Sequence, residues 1–256
     1  MNVELNGAKV LFEIPIDVPL LGYIQITQTV VVSWVIMGII SGLCIWLGKG
    51  LTVDNISRKQ AAAEVIVESL VKFVRGNMGG NFDYFIPLIG ALFATSVVSN
   101  IISITGIWSP TADLSTELAW AIVVFILITY YKLKSGGFGG YLKGFLEPIF
   151  LMAPLNVLSE LSTPVSMACR HFGNVLSGMV ISTLLYASLA SFSALILGFI
   201  PGMVGEMLSA FPLFSIGIPA VLSLYFDWFS GCIQAFIFCT LTTIFIKQAA
   251  GDLAEA

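Results

Sequence analysis

An all-α integral membrane protein is the fold class predicted by three observations. The chain of 256 residues is 57% hydrophobic and 10% charged, with a mean hydropathy of +0.97, whereas a soluble domain carries about 25% charged residues. Its apolar runs have helical length and are not ten-residue alternating segments, which argues against a transmembrane barrel. Lysine and arginine fall in alternate loops, as a polytopic helical protein requires. The expected architecture is five membrane-crossing helices plus one amphipathic interfacial helix, with the last two crossings long and strongly tilted.

Residues 1–26 carry Glu4, Glu13 and Asp17 against Lys9 and hold no long apolar core. This reads as an external N-terminal segment and not a signal peptide; residues 27–256 read as one transmembrane helical domain. "TQTVVVSWVIMGIISGLCIWLG", 27–48, is long enough to span. Over 56–76, Glu64, Glu68, Lys72 and Arg75 share one helical face and Ile66, Leu70 and Phe73 another. That predicts an amphipathic helix at the membrane surface or docked on a partner. A second crossing over 84–105 and a third over about 115–132 flank "GIWSPTAD", a Gly- and Pro-marked turn. The Gly-rich "KSGGFGGYLKG" follows, then apolar blocks at 148–200 and 207–248. Forty helical residues reach about 60 Å, roughly twice a bilayer core, so each block is either a folded hairpin or one steeply tilted helix, with Pro164 a candidate bend.

Charge placement favours the tilted helix. Lys49, Arg58, Lys59, Lys72 and Arg75 lie in the first loop, Lys132, Lys134 and Lys143 in the third, and Lys247 near the C-terminus, while 106–114 and 196–210 contain Asp113 and Glu206 but no Lys or Arg. Positive loops face the cytoplasm. Five crossings with the N-terminus outside and the C-terminus cytoplasmic satisfy every loop; splitting one block would move lysines to the wrong side.

"SMACRHFGNVLSGM", 166–179, places an arginine inside the fourth crossing. An arginine at a bilayer centre costs from about 2.5 to over 10 kcal/mol, so a partner is required. Ser166, Arg170, Asn174 and Ser177 align on one helical stripe beside Gly173 and Gly178, and small residues admit another helix. The alternative is an acid within the chain, Asp227 or Glu160. The four cysteines lack CxxC spacing and read as small buried hydrophobes. One histidine, His171, excludes bis-histidine haem and the usual zinc sites, so neither cofactor nor metal is expected. The net charge of −4 argues for no nucleic acid partner.

"RHFGNVLSG" resembles the arginine motif of subunit a of rotary F-type ATP synthases, and "QAFIFCTLTTIF" from Gln234 is similar to that family's final helix. "PTADLSTELA", 110–119, and "SNIISITG", 99–106, are similar to it as well, so the resemblance covers about 84–248. His171 replaces the family's common leucine, Met179 stands where many members carry glutamate, and Asp227 where some have histidine. The resemblance implies a stator subunit of the bacterial plasma membrane, with two aqueous half-channels that load and unload ions on the carboxylates of a rotating c-ring. It also implies peripheral stalk b subunits and the whole ATP synthase complex as partners, within the bilayer, with no ATP chemistry in this chain. Arg170 would be electrostatic partner and seal, because guanidinium keeps its proton. Ten residues before it, Glu160 is a candidate for the inner half-channel, or else lies in the cytoplasmic interface. Asp227, two helical turns before Gln234, is a candidate for the outer one, or else caps a hydrogen-bond network. Asn174 should face Gln234 and hold water, while Gln234 orients the guanidinium or simply ties helices together. His171 points about 100° away from Arg170 and reads as packed within the subunit. A stand-alone secondary ion transporter is the alternative, although no internal repeat supports it.

Overall fold

Lipid, not water, is the solvent that the surface of this molecule requires. In the computed structural model, helix α1 (Gln28–Gly48) buries only Thr29 and Ile36, leaving Trp34, Ile39, Leu43, Ile45 and Trp46 exposed. A 21-residue helix that is apolar all round and uncovered fits a bilayer. The structure describes residues 8–15, 23–54, 56–103, 105–147, 149–197, 221 and 224–251. Among these, five helical segments are long and apolar enough to cross a membrane: Gln28–Gly48, Gly80–Ser103, Leu114–Leu146, Phe150–Ile196 and Trp228–Ala250.

Helix α2 (Arg58–Met78) begins where Ser57 Oγ accepts from the Gln60 amide, and ends at Gly79, whose φ of +94° favours glycine. Its buried face is Gln60, Val74 and Met78, with Leu70 and Phe73 half-buried; Ile66, expected on that face, is exposed. Across the helix, Lys72 Nζ lies 2.8 Å from Glu68. That hydrogen bond and charge hold the Glu68 carboxyl below its ordinary range. Arg75 reaches Asp83 at 2.6 Å and so ties α2 to the 3-10 turn Gly80–Phe85 that leads into α3 (Ile86–Ser103).

Helix α4 (Leu114–Leu146) starts with Asp113 Oδ1 accepting from the Ser115 amide. It buries Glu117, Ala121, Val124, Ile128 and Tyr131, a four-three spacing that makes one seam against α5 (Ala153–Leu197) and α6 (Gly231–Ala250). The Gly-rich segment read as a loop is instead helical, and the chain breaks only at Gly137, whose φ is +65°. Helical hydrogen bonds resume on either side of this one residue, so clustered glycines do not by themselves end a helix.

Helix α5 is a single helix of 45 residues, not a hairpin. At 1.5 Å per residue it reaches about 68 Å and cannot stand upright in a core of about 30 Å. It runs through Pro164 without interruption; the ring deprives the Glu160 carbonyl of its helical donor. Before α6, residues Leu224–Ser230 form a π-helical turn. The expected helix over 207–248 therefore starts differently in its described part and ends later, at Ala250; its portion at 207–220, with most of the 196–210 loop, lies outside the described residues. The N-terminal segment, for which the sequence carried no helical expectation, contains two strands. Strands β1 (Val10–Pro15) and β2 (Tyr23–Thr27) pair antiparallel, with Ile14 opposite Ile24 and Phe12 opposite Ile26.

Contacts group the helix ends into two sets. Thr29 donates to Asp113 at 3.0 Å, joining the start of α1 to the α3–α4 turn. Tyr84 and Tyr131 share a hydrogen bond of 2.6 Å, and Lys132 pairs with Glu160 at 2.9 Å, joining the start of α3, the later half of α4 and the start of α5. Of the eleven basic residues, only Lys9 and Arg170 fall outside the segments that belong to this second end.

Candidate functional site

Arg170 lies 17 residues into α5, about 25 Å along its axis. Ser166, Arg170, Asn174 and Ser177 are all exposed on one side of this helix, as the 3.6-residue period dictates. Among the described residues Arg170 has no ion-pair or hydrogen-bond partner. A fixed positive charge thus faces out of the subunit at membrane depth. One of the two in-chain acids that could have neutralised it is engaged elsewhere: Glu160, its side chain 11% exposed, binds Lys132 and accepts from Tyr141 Oη at 3.1 Å. For the other, Asp227, the side chain lies outside the described residues. Its backbone belongs to the π-helical turn. An i→i+5 turn rotates the chain less per residue than an α-helix, so the two-turn phase relation between Asp227 and Gln234 does not carry across it.

One helical turn beyond the arginine, Asn174 Nδ2 donates to Gln234 Oε1 at 2.7 Å, bridging α5 and α6. Gln234 is buried at 3% exposure, one turn into α6, where Gly231 lets the helix approach α3. A Cβ at Gly231 would stand 2.7 Å from Asn100 Cγ.

The subunit-facing side of α5, about 100° round from Arg170, is occupied by His171. Its ring is fully buried: Nδ1 lies 2.8 Å from Glu117 Oε2 on α4, Nε2 lies 3.2 Å from Ser96 Oγ on α3, and Phe238 and Trp120 flank it. The close approach to Glu117 is not an aligned hydrogen bond, since neither Glu117 oxygen nor His171 Nδ1 meets hydrogen-bond geometry. Neither Glu117 nor Ser96, the two polar partners of His171, was singled out by spacing. Three residues into a helix, Glu117 has the look of an ordinary first-turn acid.

A polar cleft of about 490 Å³ opens at the lysine-rich end between α4, α5 and α6; Lys132, Tyr141, Asn156, Ser159, Glu160 and Gln248 are on its wall. A second cavity of about 230 Å³ shares Lys132, Glu160 and Gln248. The five described residues that sequence reasoning singled out therefore divide. Asn174 meets Gln234 one helical turn from Arg170, Glu160 sits apart in the cleft, and Asp227 is placed only by its backbone.

Five apolar helical spans, an exposed cation in mid-span and a polar cleft at one end define a polytopic membrane protein. The family profile described as ATP synthase A chain matches residues 30–247. Similar proteins include ATP synthase subunit a 2 of Bradyrhizobium sp., 33% identical over 92% of this chain and 94% of that protein. ATP synthase subunit a 1 of Crocosphaera subtropica is 34% identical over 88% of each. A protein of Propionigenium modestum named ATP synthase subunit a, sodium ion specific, is 32% identical over 97% of this chain and 86% of its own length. The chain belongs to the ATP synthase subunit a family.

Proposed function

We propose that this chain is the stator subunit a of an F-type ATP synthase, coupling transmembrane ion flow to rotation of a c-ring against it and so to ATP synthesis. The observation that carries the reading is Arg170, exposed on α5 with no partner among the described residues. A charge that costs several kcal/mol at membrane depth is retained where a second body supplies its counter-charge. A ring carboxylate within 4 Å would gain roughly 4 kcal/mol at an effective dielectric of about 20, enough to favour its ionised form and still release it. The same charge blocks a cation from passing straight between the half-channels. The Asn174–Gln234 bridge beside Arg170 offers polar atoms that can orient the guanidinium.

The cleft around Glu160 supports an inner half-channel, because Pro164 leaves the Glu160 carbonyl free there and polar side chains gather around it. Asp227 is proposed for the outer half-channel on the strength of its position before α6. The basic end faces the cytoplasm of a bacterial cell, with the N-terminus outside, and b subunits of the peripheral stalk hold the chain in place. The alternative, a stand-alone secondary transporter, is tested in liposomes. The purified chain alone should move neither protons nor sodium, while the whole complex containing it should pump on addition of ATP. Ion transport by the chain alone would overturn the stator reading.

A further inference from the structure

A carboxylate and an imidazole, both fully buried, meet on the inner side of α5 one residue from Arg170, and nothing assigned so far uses them. Intramembrane ionisable groups are costly and persist where they are paired and put to use. Further buried polar groups lead away from this pair. Ser96 is one helical turn from Asn100 on α3. Asn100 Oδ1 accepts from Thr111 Oγ1 at 2.8 Å, Thr111 Oγ1 lies 2.7 Å from Ser109 Oγ, and Ser109 belongs to the α3–α4 turn. All are at most 3% exposed. Asn100 Nδ2 and both Glu117 oxygens lack hydrogen-bond partners, which marks the file as one that polar guests would satisfy. Glu117 is also only three residues, about 5 Å, from the turn end of α4.

We propose that Glu117, held in place by His171, is a carboxylate, additional to Asp227, that receives the coupling cation between the α3–α4 turn and Arg170, in a chain whose position 179 is methionine. This rests on the stator reading. An arriving proton adds to the carboxylate or, across 2.8 Å, to the imidazole; a sodium ion neutralises the carboxylate by coordination. In either case one positive charge enters and one leaves toward the ring, and the pair returns to its starting charge. His171 is the positioning residue.

A purely structural tie is separable from this role. Glu117→Gln keeps the side chain's shape and a hydrogen-bonding group toward His171 but removes the charge. In vesicles containing the whole complex, gradient-driven ATP synthesis by Glu117→Gln should fall by about 100-fold, the scale of a lost proton-transfer group. Glu117→Asp, or Met179→Glu in the Glu117→Gln background, should recover part of it. A proton gradient at fixed sodium and a sodium gradient at fixed pH tell which cation is received. Wild-type rates for Glu117→Gln with both ions would overturn the proposal. Should that variant not assemble, Ser96→Cys in the otherwise unaltered complex decides instead. The introduced thiol should react with silver ions added on the α3–α4 turn side, above the background of the four native cysteines, and no added labelling would equally overturn it. Arg170→Ala that still pumps would sink the stator reading itself, whereas dead Arg170→Ala with unaffected Glu117→Gln sinks this inference alone.

Discussion

Gly231 and Asn100 set the distance between α3 and α6, and they do so by contact. Because a Cβ at 231 would stand 2.7–2.8 Å from three Asn100 atoms, Gly231→Ala should destabilise the subunit by about 1–3 kcal/mol through overpacking. Asn100→Ala added to it should recover much of that loss, as read by the thermal melting of the purified complex. Asn174 and Gln234 form a second residue-scale test. Each alanine substitution removes one partner of the same 2.7 Å bond, so the two effects on stability should fall short of additivity by about 0.5–3 kcal/mol in a double-mutant cycle. Helical phase made the Arg170–Asn174 stripe legible in the sequence, and the same arithmetic turned His171 inward. It could not find Glu117, because a first-turn acid that favours the helix dipole and one that meets a histidine 54 positions later look alike in one dimension.

At the scale of elements, the break in α4 at Gly137 is a single residue at φ +65° and ψ 172°, a conformation essentially confined to glycine. Gly137→Ala should cost about 1–3 kcal/mol and so lower the melting temperature of the complex, whereas Gly139→Ala, in open space and without a positive φ, should not. Crossing helices were legible as apolar runs because lipid imposes length. The ends were not: glycine clusters suggested a loop where the structure continues a helix, and the π-helical turn before α6 leaves no mark in hydropathy. The β1–β2 hairpin does carry a period-two signal, with Ile14, Ile24 and Ile26 alternating with polar neighbours. It is outweighed by the apolar character of the chain as a whole.

Over the whole molecule, charge placement anticipated which helix ends lie together, because moving a lysine across a bilayer is costly wherever it sits in the sequence. Contacts in the structure group the same ends, through Tyr84 with Tyr131, Lys132 with Glu160, and Thr29 with Asp113. Thiols introduced at Gly50 and Ile149 should therefore be labelled by an impermeant reagent from one side of the membrane, and one at Ile107 from the other. Labelling of all three from one side would contradict the five-crossing arrangement. Arg170 is proposed to serve a carboxylate on a partner and not an acid of its own chain. ATP-driven ion pumping by the whole complex carrying Arg170→Ala tests it most directly. That complex should still assemble with its ring and stalk but should not pump; normal coupled pumping would show that Arg170 needs no partner carboxylate.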